Sequence, residues 1–114
     1  MSNKFDIFQY ISLVRFKGIP KLLDKIKNKN YNVILDLEDS SKDIFSPKNT
    51  LFLKNQCRLG LDYLNKKKFK YSNIFLRING IKSKFYEDDI KSLDKNLNKN
   101  LNIKGIFIPK IEEY

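Results

Sequence analysis

The chain has 114 residues, which suffices for one domain with a modest hydrophobic core. It carries 23 Lys and Arg against 13 Asp and Glu, with no histidine and a single cysteine, Cys57. This composition excludes an internal disulfide framework, a catalytic triad that uses histidine, and a zinc site made of histidine or of cysteine alone. The chain has no apolar run of the roughly 18 residues that a membrane span needs, and its N-terminus lacks the apolar core of a signal peptide. We therefore expect one cytoplasmic domain over residues 1–114.

The net charge of +10 comes almost entirely from lysine, because Arg15, Arg58 and Arg77 are the three arginines. A basic chain can attract nucleic acid or anionic lipid. The accompanying Asn, Ile, Phe and Tyr residues, however, also arise from AT-rich coding sequence without selection for binding. We therefore expect no membrane partner, and nucleic acid enters only in the alternative function given below.

The first half of the chain predicts two strands with a helix between them. Residues 8–16 are rich in β-branched and aromatic side chains, which predicts a strand that Gly18 ends. The first turn of the following helix contains Pro20, and one face of this helix carries Ile19, Leu22, Leu23 and Ile26. Residues 31–38 form an apolar run with little alternation until its end, which is typical of a parallel strand covered on both faces.

A second helix follows this strand. Ser46 and Pro47 are a typical N-cap and first helical residue. An apolar stripe then continues towards Lys66 and contains Leu53, Cys57, Leu61 and Leu64. This pattern predicts an amphipathic helix in which Cys57 has a packing role.

A strand, a helix and another strand complete the predicted pattern. Residues 73–79 predict the third strand and residues 105–113 the fourth. The helix between them is predicted by Ile90, Leu93 and Leu97. Its start is acidic, as the helix dipole favours, with Glu87, Asp88 and Asp89. The order β-α-β-α-β-α-β predicts an α/β fold with a parallel sheet of about four strands and three helices.

Polar side chains end three of the predicted strands, and each set shares one face because residues two apart point the same way. The sets are Ile34, Asp36 and Glu38; Phe75, Arg77 and Asn79; and Ile106, Ile108, Lys110 and Glu112. Ligands bind α/β sheets at the carboxyl ends of the strands. We therefore expect these polar groups to converge at one edge, on the concave face. The carboxylates there would hold Arg77 and Lys110, and Arg77 would grip a substrate carboxylate through two parallel hydrogen bonds.

Three motifs resemble the citrate lyase β-subunit-like branch of the HpcH/HpaI aldolase family. They are VILDLEDS at residues 33–40, IFLRINGI at 74–81 with YEDDIKSL at 86–93, and GIFIPKIEE at 105–113. Their order and spacing are those of the family. The segment ISLVRFKGIPKLLDKI, residues 11–26, is similar to a divergent first strand and helix, with Phe16-Lys17-Gly18 in place of the usual Val-Pro-Gly turn. The resemblance covers nearly the whole chain.

The resemblance implies a (β/α)8 barrel with its active site at the strand C-termini and a divalent metal ion, usually magnesium. The family cleaves or forms carbon–carbon bonds in 2-oxo acids or in carboxylated thioesters of coenzyme A or an acyl carrier. The resemblance implies a catalytic role for Arg77. It also implies a substrate-binding role for Arg77, Asp36, Glu38, Asp39, Asn79, Lys110 and Glu112.

The metal-binding Glu and Asp of the family lie on its fifth and sixth strands, beyond the four strands predicted here. We therefore expect the N-terminal half of a barrel that lacks the magnesium ligands and has no lyase activity alone. Such a half leaves strand edges and an apolar face uncovered. We accordingly expect self-association or a complementary half-barrel as the partner.

A second function from another class is open as well. The chain could be a small basic binding or assembly protein that uses the half-barrel as a scaffold and docks on nucleic acid or on another polypeptide. A salt-sensitive complex with nucleic acid would favour this alternative.

Overall fold

Strands and helices alternate along the whole described chain. The computed structural model describes residues 8–26, 31–38, 43–67, 73–96 and 102–109. The elements are β1 (Phe8–Ser12), a 3₁₀ helix (Leu13–Gly18), α1 (Ile19–Ile26), β2 (Asn32–Asp36), α2 (Pro47–Asn65), β3 (Ile74–Arg77), α3 (Tyr86–Asn96) and β4 (Ile103–Phe107). All pairings are parallel, and the strands lie in the order β1-β2-β3-β4. The predicted α/β fold with four parallel strands and three helices is confirmed.

The start of α2 follows directly from its sequence. The Ser46 hydroxyl accepts a hydrogen bond from the Asn49 backbone N–H at 3.1 Å, and Pro47 occupies the first turn, where its missing N–H leaves no helical bond unmade. The predicted helix start is confirmed, and Cys57 is buried in the core as expected.

The first strand is shorter than predicted. It ends at Ser12, whose hydroxyl accepts a hydrogen bond from the Val14 backbone N–H at 3.2 Å and so caps the 3₁₀ helix. The residues that follow turn towards α2, where Gly60 permits close packing, since a Cβ there would lie 2.8 Å from the Phe16 Cβ. The β-forming residues between Leu13 and Phe16 therefore serve helix packing, and the expected strand over residues 8–16 is wrong beyond Ser12.

One face of the sheet packs on the helices and forms the hydrophobic core. The strand residues in this core are Val33, Leu35, Leu37, Ile74, Leu76 and Ile78. The helical residues that meet them include Leu13, Phe16, Ile19, Leu23, Cys57, Leu61, Leu64 and Leu93. All of these side chains are buried. The helices of the described chain thus cover the same side of the sheet.

The opposite surface, which we call the open face, carries the aromatic side chains Phe8, Tyr10, Phe75 and Phe107. The ring centroids of Phe8, Phe75 and Phe107 lie 5.8 to 6.2 Å from one another. Phe8 stands on β1 and Phe107 on β4, at the two edges of the sheet. Their contact shows that the sheet is curved, with the open face on its concave side.

The pairing of β4 inverts the expected orientation of its side chains. A register irregularity lies at Ile74/Phe75, beyond which Phe75 pairs with Gly105 and Arg77 with Phe107. An extra residue in one strand moves all later side chains to the other face. Phe107 therefore lies on the open face, and the expectation that Ile106 does so is wrong because Ile106 pairs with Leu76.

Candidate functional site

An ion pair between Asp36 and Arg77 lies at the carboxyl ends of the two central strands. The two residues are register partners on β2 and β3. The Arg77 Nε–H donates to Asp36 Oδ1 at 2.8 Å, and Nη2–H donates to Oδ2 at 2.9 Å. The Asp36 side chain is 2% exposed and that of Arg77 is 21% exposed. The carboxylate is thus internal, whereas part of the guanidinium reaches the surface.

Glu38 and Tyr10 complete the surroundings of this pair. The Glu38 backbone N–H donates to Asp36 Oδ1 at 2.9 Å, and Glu38 Oε1 lies 3.7 Å from Arg77 Nε. The Tyr10 ring centroid lies 4.5 Å from Arg77 Cζ, within the range of a cation–π contact. These contacts fix the guanidinium plane. Two carboxylates face one arginine, so these described side chains carry a net negative charge.

Asn79 lies at the same edge of the sheet but belongs to a different set of contacts. Its backbone N–H donates to Asp89 Oδ2 at 2.9 Å, and its amide nitrogen donates to Asp89 Oδ2 at 2.5 Å and to the Leu37 carbonyl at 3.2 Å. The expectation that Asn79 shares the face of Arg77 is wrong, because β3 ends at Arg77 and the alternation of side chains stops with it. Asn79 instead joins β3 to α3 and to the end of β2.

Asp89 and Arg58 extend these contacts between the helices. Asp89 is 1% exposed, and its Oδ1 accepts a hydrogen bond from Arg58 Nε at 3.1 Å. The sequence indicated Asp89 only as one of three acids at a helix start. Its partners lie 10 and 31 residues away in sequence, so no local pattern reveals them.

Lys54 holds the end of β2 from the helical side. Its Nζ donates to the Leu37 carbonyl at 2.9 Å and to the Glu38 carbonyl at 2.6 Å. The residue is 3% exposed, and burial lowers the pKa of Lys54, an effect that the negative charge of Asp89 opposes. The sequence analysis did not single out this lysine, although it lies three residues before Cys57 and seven before Leu61, on the buried stripe of α2.

The other predicted site residues, Asp39, Lys110 and Glu112, lie outside the described residues. Within the described ranges, no group of three or more His, Cys, Asp and Glu side chains could hold a metal ion. Both Asp36 oxygens accept hydrogen bonds from Arg77, so they do not form the open oxygen cluster that magnesium requires. The described residues therefore do not fit the metal that the resemblance implies.

Comparisons of this chain with protein-family models, curated proteins and solved structures find no match. None of the helices in the described part of the chain is long and apolar enough to cross a membrane.

Proposed function

We propose that the chain forms the first four β/α units of a (β/α)8 barrel related to citrate lyase β-like carbon–carbon lyases. The sequence motifs support this, as do the consecutive order of parallel strands and the helices on one side of the sheet. In a barrel, consecutive strands are neighbours and the helices form an outer ring. The contact between Phe8 and Phe107 across the concave face also favours a sheet that curves towards closure.

The observation that carries the proposal is the ion pair between Asp36 and Arg77 at the carboxyl ends of neighbouring strands. In this proposal the partly exposed Arg77 binds a carboxylate of a coenzyme A or acyl-carrier thioester, or of a 2-oxo acid, and bidentate hydrogen bonds from the guanidinium offset the repulsion by Glu38. Asp36 and Tyr10 hold the guanidinium plane so that it loses little freedom on binding. Glu38 lines the pocket beside the pair.

The remaining residues take different parts in the proposal. Asn79 acts as a positioning residue, since its amide nitrogen bonds Asp89 and the Leu37 carbonyl. Asp39, Lys110 and Glu112 keep the pocket roles that the resemblance implies. Because the described residues do not fit magnesium, the proposed role of this chain is substrate binding. Carbon–carbon cleavage would then depend on metal ligands supplied by another polypeptide. We propose that the protein acts in the cytoplasm.

Calorimetric titration with malate tests this role in each variant, and in the parent chain the Arg77 Nε–H signal in NMR spectra shows whether malate binds at this residue. We expect Arg77→Lys to weaken malate binding by about tenfold, because lysine keeps the charge but loses the bidentate fork. Lys82→Gln is the control, since it removes one positive charge from an exposed position. An equal loss in both variants, or no binding of malate by the parent chain, would contradict the proposal.

A lyase assay tests the dependence on a complementary half. We expect the chain alone to be inactive. Activity should appear when it is mixed with a polypeptide carrying the last four β/α units of a family member.

The partly exposed aromatic rings of the open face also favour a second candidate, an assembly protein that uses this face to bind a second copy or another polypeptide. A complex that forms without any lyase activity would support that candidate.

A further inference from the structure

A cavity of about 300 Å³ lies between the 3₁₀ helix and the middle of α2. Its lining residues are Val14, Arg15, Phe16, Lys17, Gly18 and Gln56. Two contacts hold the 3₁₀ helix that forms one wall of the cavity. Phe16 is buried against Gly60, and the Ser12 hydroxyl caps the start of the helix. At Gly18 the space is open, since an added Cβ would meet no atom within 4 Å.

The charge of this cavity is entirely positive. Arg15 and Lys17 line it, and no carboxylate does. Arg58 and Arg77 are salt-bridged to Asp89 and Asp36, but Arg15 has no salt bridge within the described residues. Two cations in a cavity whose lining contains no carboxylate match a dianion better than a monoanion.

Two exposed apolar side chains of α2 lie one turn to either side of Gln56, which lines the cavity. Phe52 and Leu59 lie four residues before and three residues after Gln56, on the same face of the helix. Both are more than half exposed. Large apolar side chains beside a cationic cavity offer contact to the apolar part of a ligand whose anionic part lies inside.

We propose that this cavity binds a small phosphate monoester with an apolar body. The Arg15 guanidinium donates paired hydrogen bonds to phosphate oxygens, Lys17 adds a second positive charge, and the apolar body lies against Phe52 and Leu59. A phosphate monoester carries close to two negative charges at neutral pH, which balances the two cations. Neither Asp36 nor Arg77 lines this cavity, so this inference does not depend on the proposed lyase relationship.

Calorimetric titration of the full chain tests the site with phenyl phosphate, inorganic phosphate and benzoate at about 50 mM salt. We expect phenyl phosphate to bind more tightly than either other probe. The double variant Arg15→Gln/Lys17→Gln should weaken it about tenfold or more, in line with the loss of charged hydrogen bonds. Phe52→Ser should remove much of the preference for phenyl phosphate over inorganic phosphate.

The matched control is Lys82→Gln/Lys84→Gln, which removes two exposed charges with the same spacing from another loop. It should leave the affinity for phenyl phosphate unchanged. An equal loss of affinity in the control would mean that net charge alone explains the effect, and this would overturn the proposal. Absence of phenyl phosphate binding at about 10 mM, or equal affinity for all three probes, would overturn it as well.

Discussion

The two faces of the same four strands differ in both chemistry and cover. On the helical side Val33, Leu35 and Leu76 are fully buried, whereas on the open face Tyr10 is 57% and Phe107 is 41% exposed. The helical side is aliphatic and is sealed over β2 and β3, whereas Ile106 of β4 is 40% exposed. The open face carries aromatic rings around the buried Ile34 of β2 and, at the carboxyl edge, one ion pair. The chain therefore draws most of its stability from one face and leaves its chemistry and its contact surface on the other.

The largest expected effect separates two neighbouring residues of β3 that point to opposite faces. Leu76→Ala should lower the free energy of unfolding by about 3 to 4 kcal/mol, because it leaves a cavity in a fully buried core. Phe75→Ala should lower it by only about 1 kcal/mol, since the ring is half-buried among other aromatic rings. Urea unfolding measures both. Equal losses would mean that the open face is as well sealed as the core, and the contrast between the faces would fail.

The second test concerns the ion pair on the open face. Arg77→Met removes the bidentate partner of the internal Asp36 carboxylate, and should cost about 2 to 3 kcal/mol of unfolding free energy. The double variant Asp36→Asn/Arg77→Met removes both charges and should cost about 1 kcal/mol. Thermal and urea unfolding of the single and double variants would show this difference. A double variant that is less stable than the single one would contradict this expectation, since it would show that the Asp36 carboxylate stabilises the fold even without Arg77.

The open face also predicts association. We expect the purified chain to self-associate at micromolar concentration, and Tyr10→Lys/Phe107→Lys to shift it towards monomer by about tenfold or more in the association constant. Ile44→Lys/Phe45→Lys is the control, since these residues are even more exposed but lie before α2. Sedimentation velocity distinguishes the two variants. A cooperatively unfolding monomer of the parent chain, or an equal effect of both variants, would show that the open face needs no partner.

The sequence predicted the faces of β2, and of β3 as far as Arg77, but not that of β4. Alternation along a strand identified Asp36 and Arg77 as neighbours on one face, because their strands pair without a shift at those residues. The same alternation failed at Ile106, since one irregularity in strand pairing inverts every later side chain. Such a shift depends on contacts between strands and leaves no mark in the spacing of residues along one strand.

The polar contacts behind the site could not be predicted for a related reason. Asn79 and Asp89 were each assigned from local spacing, to a strand end and a helix start. Their bond to each other, and that of Asp89 to Arg58, exist only after the helices pack on the sheet. For Lys54, the spacing from Cys57 and Leu61 marks the buried stripe of α2, but its partners at the end of β2 lie 16 and 17 residues away and follow from no local pattern.

The smallest expected effect compares a buried lysine, Lys54, with an exposed one. Burial lowers the folded-state pKa of Lys54 below its ordinary value of 10.5, so between the two values the unfolded chain binds more protons than the folded one. The stability that Lys54 contributes should therefore rise with pH through this window and become constant above about 10.5. Urea unfolding from about pH 8 to about pH 11 of the parent chain and of Lys54→Met isolates the effect, since tyrosines and other lysines cancel in the difference.

The matched control is Lys84→Met. The Nζ atoms of Lys84 and Lys54 lie at similar distances from the Phe85 ring centroid, 5.3 Å and 5.4 Å respectively, but Lys84 is exposed. The pH dependence should be larger for Lys54→Met than for this control. If the difference for Lys54 instead falls as pH rises, the hydrogen bonds from Nζ to the Leu37 and Glu38 carbonyls outweigh desolvation. The end of β2 would then be held by a charge that the folded chain favours.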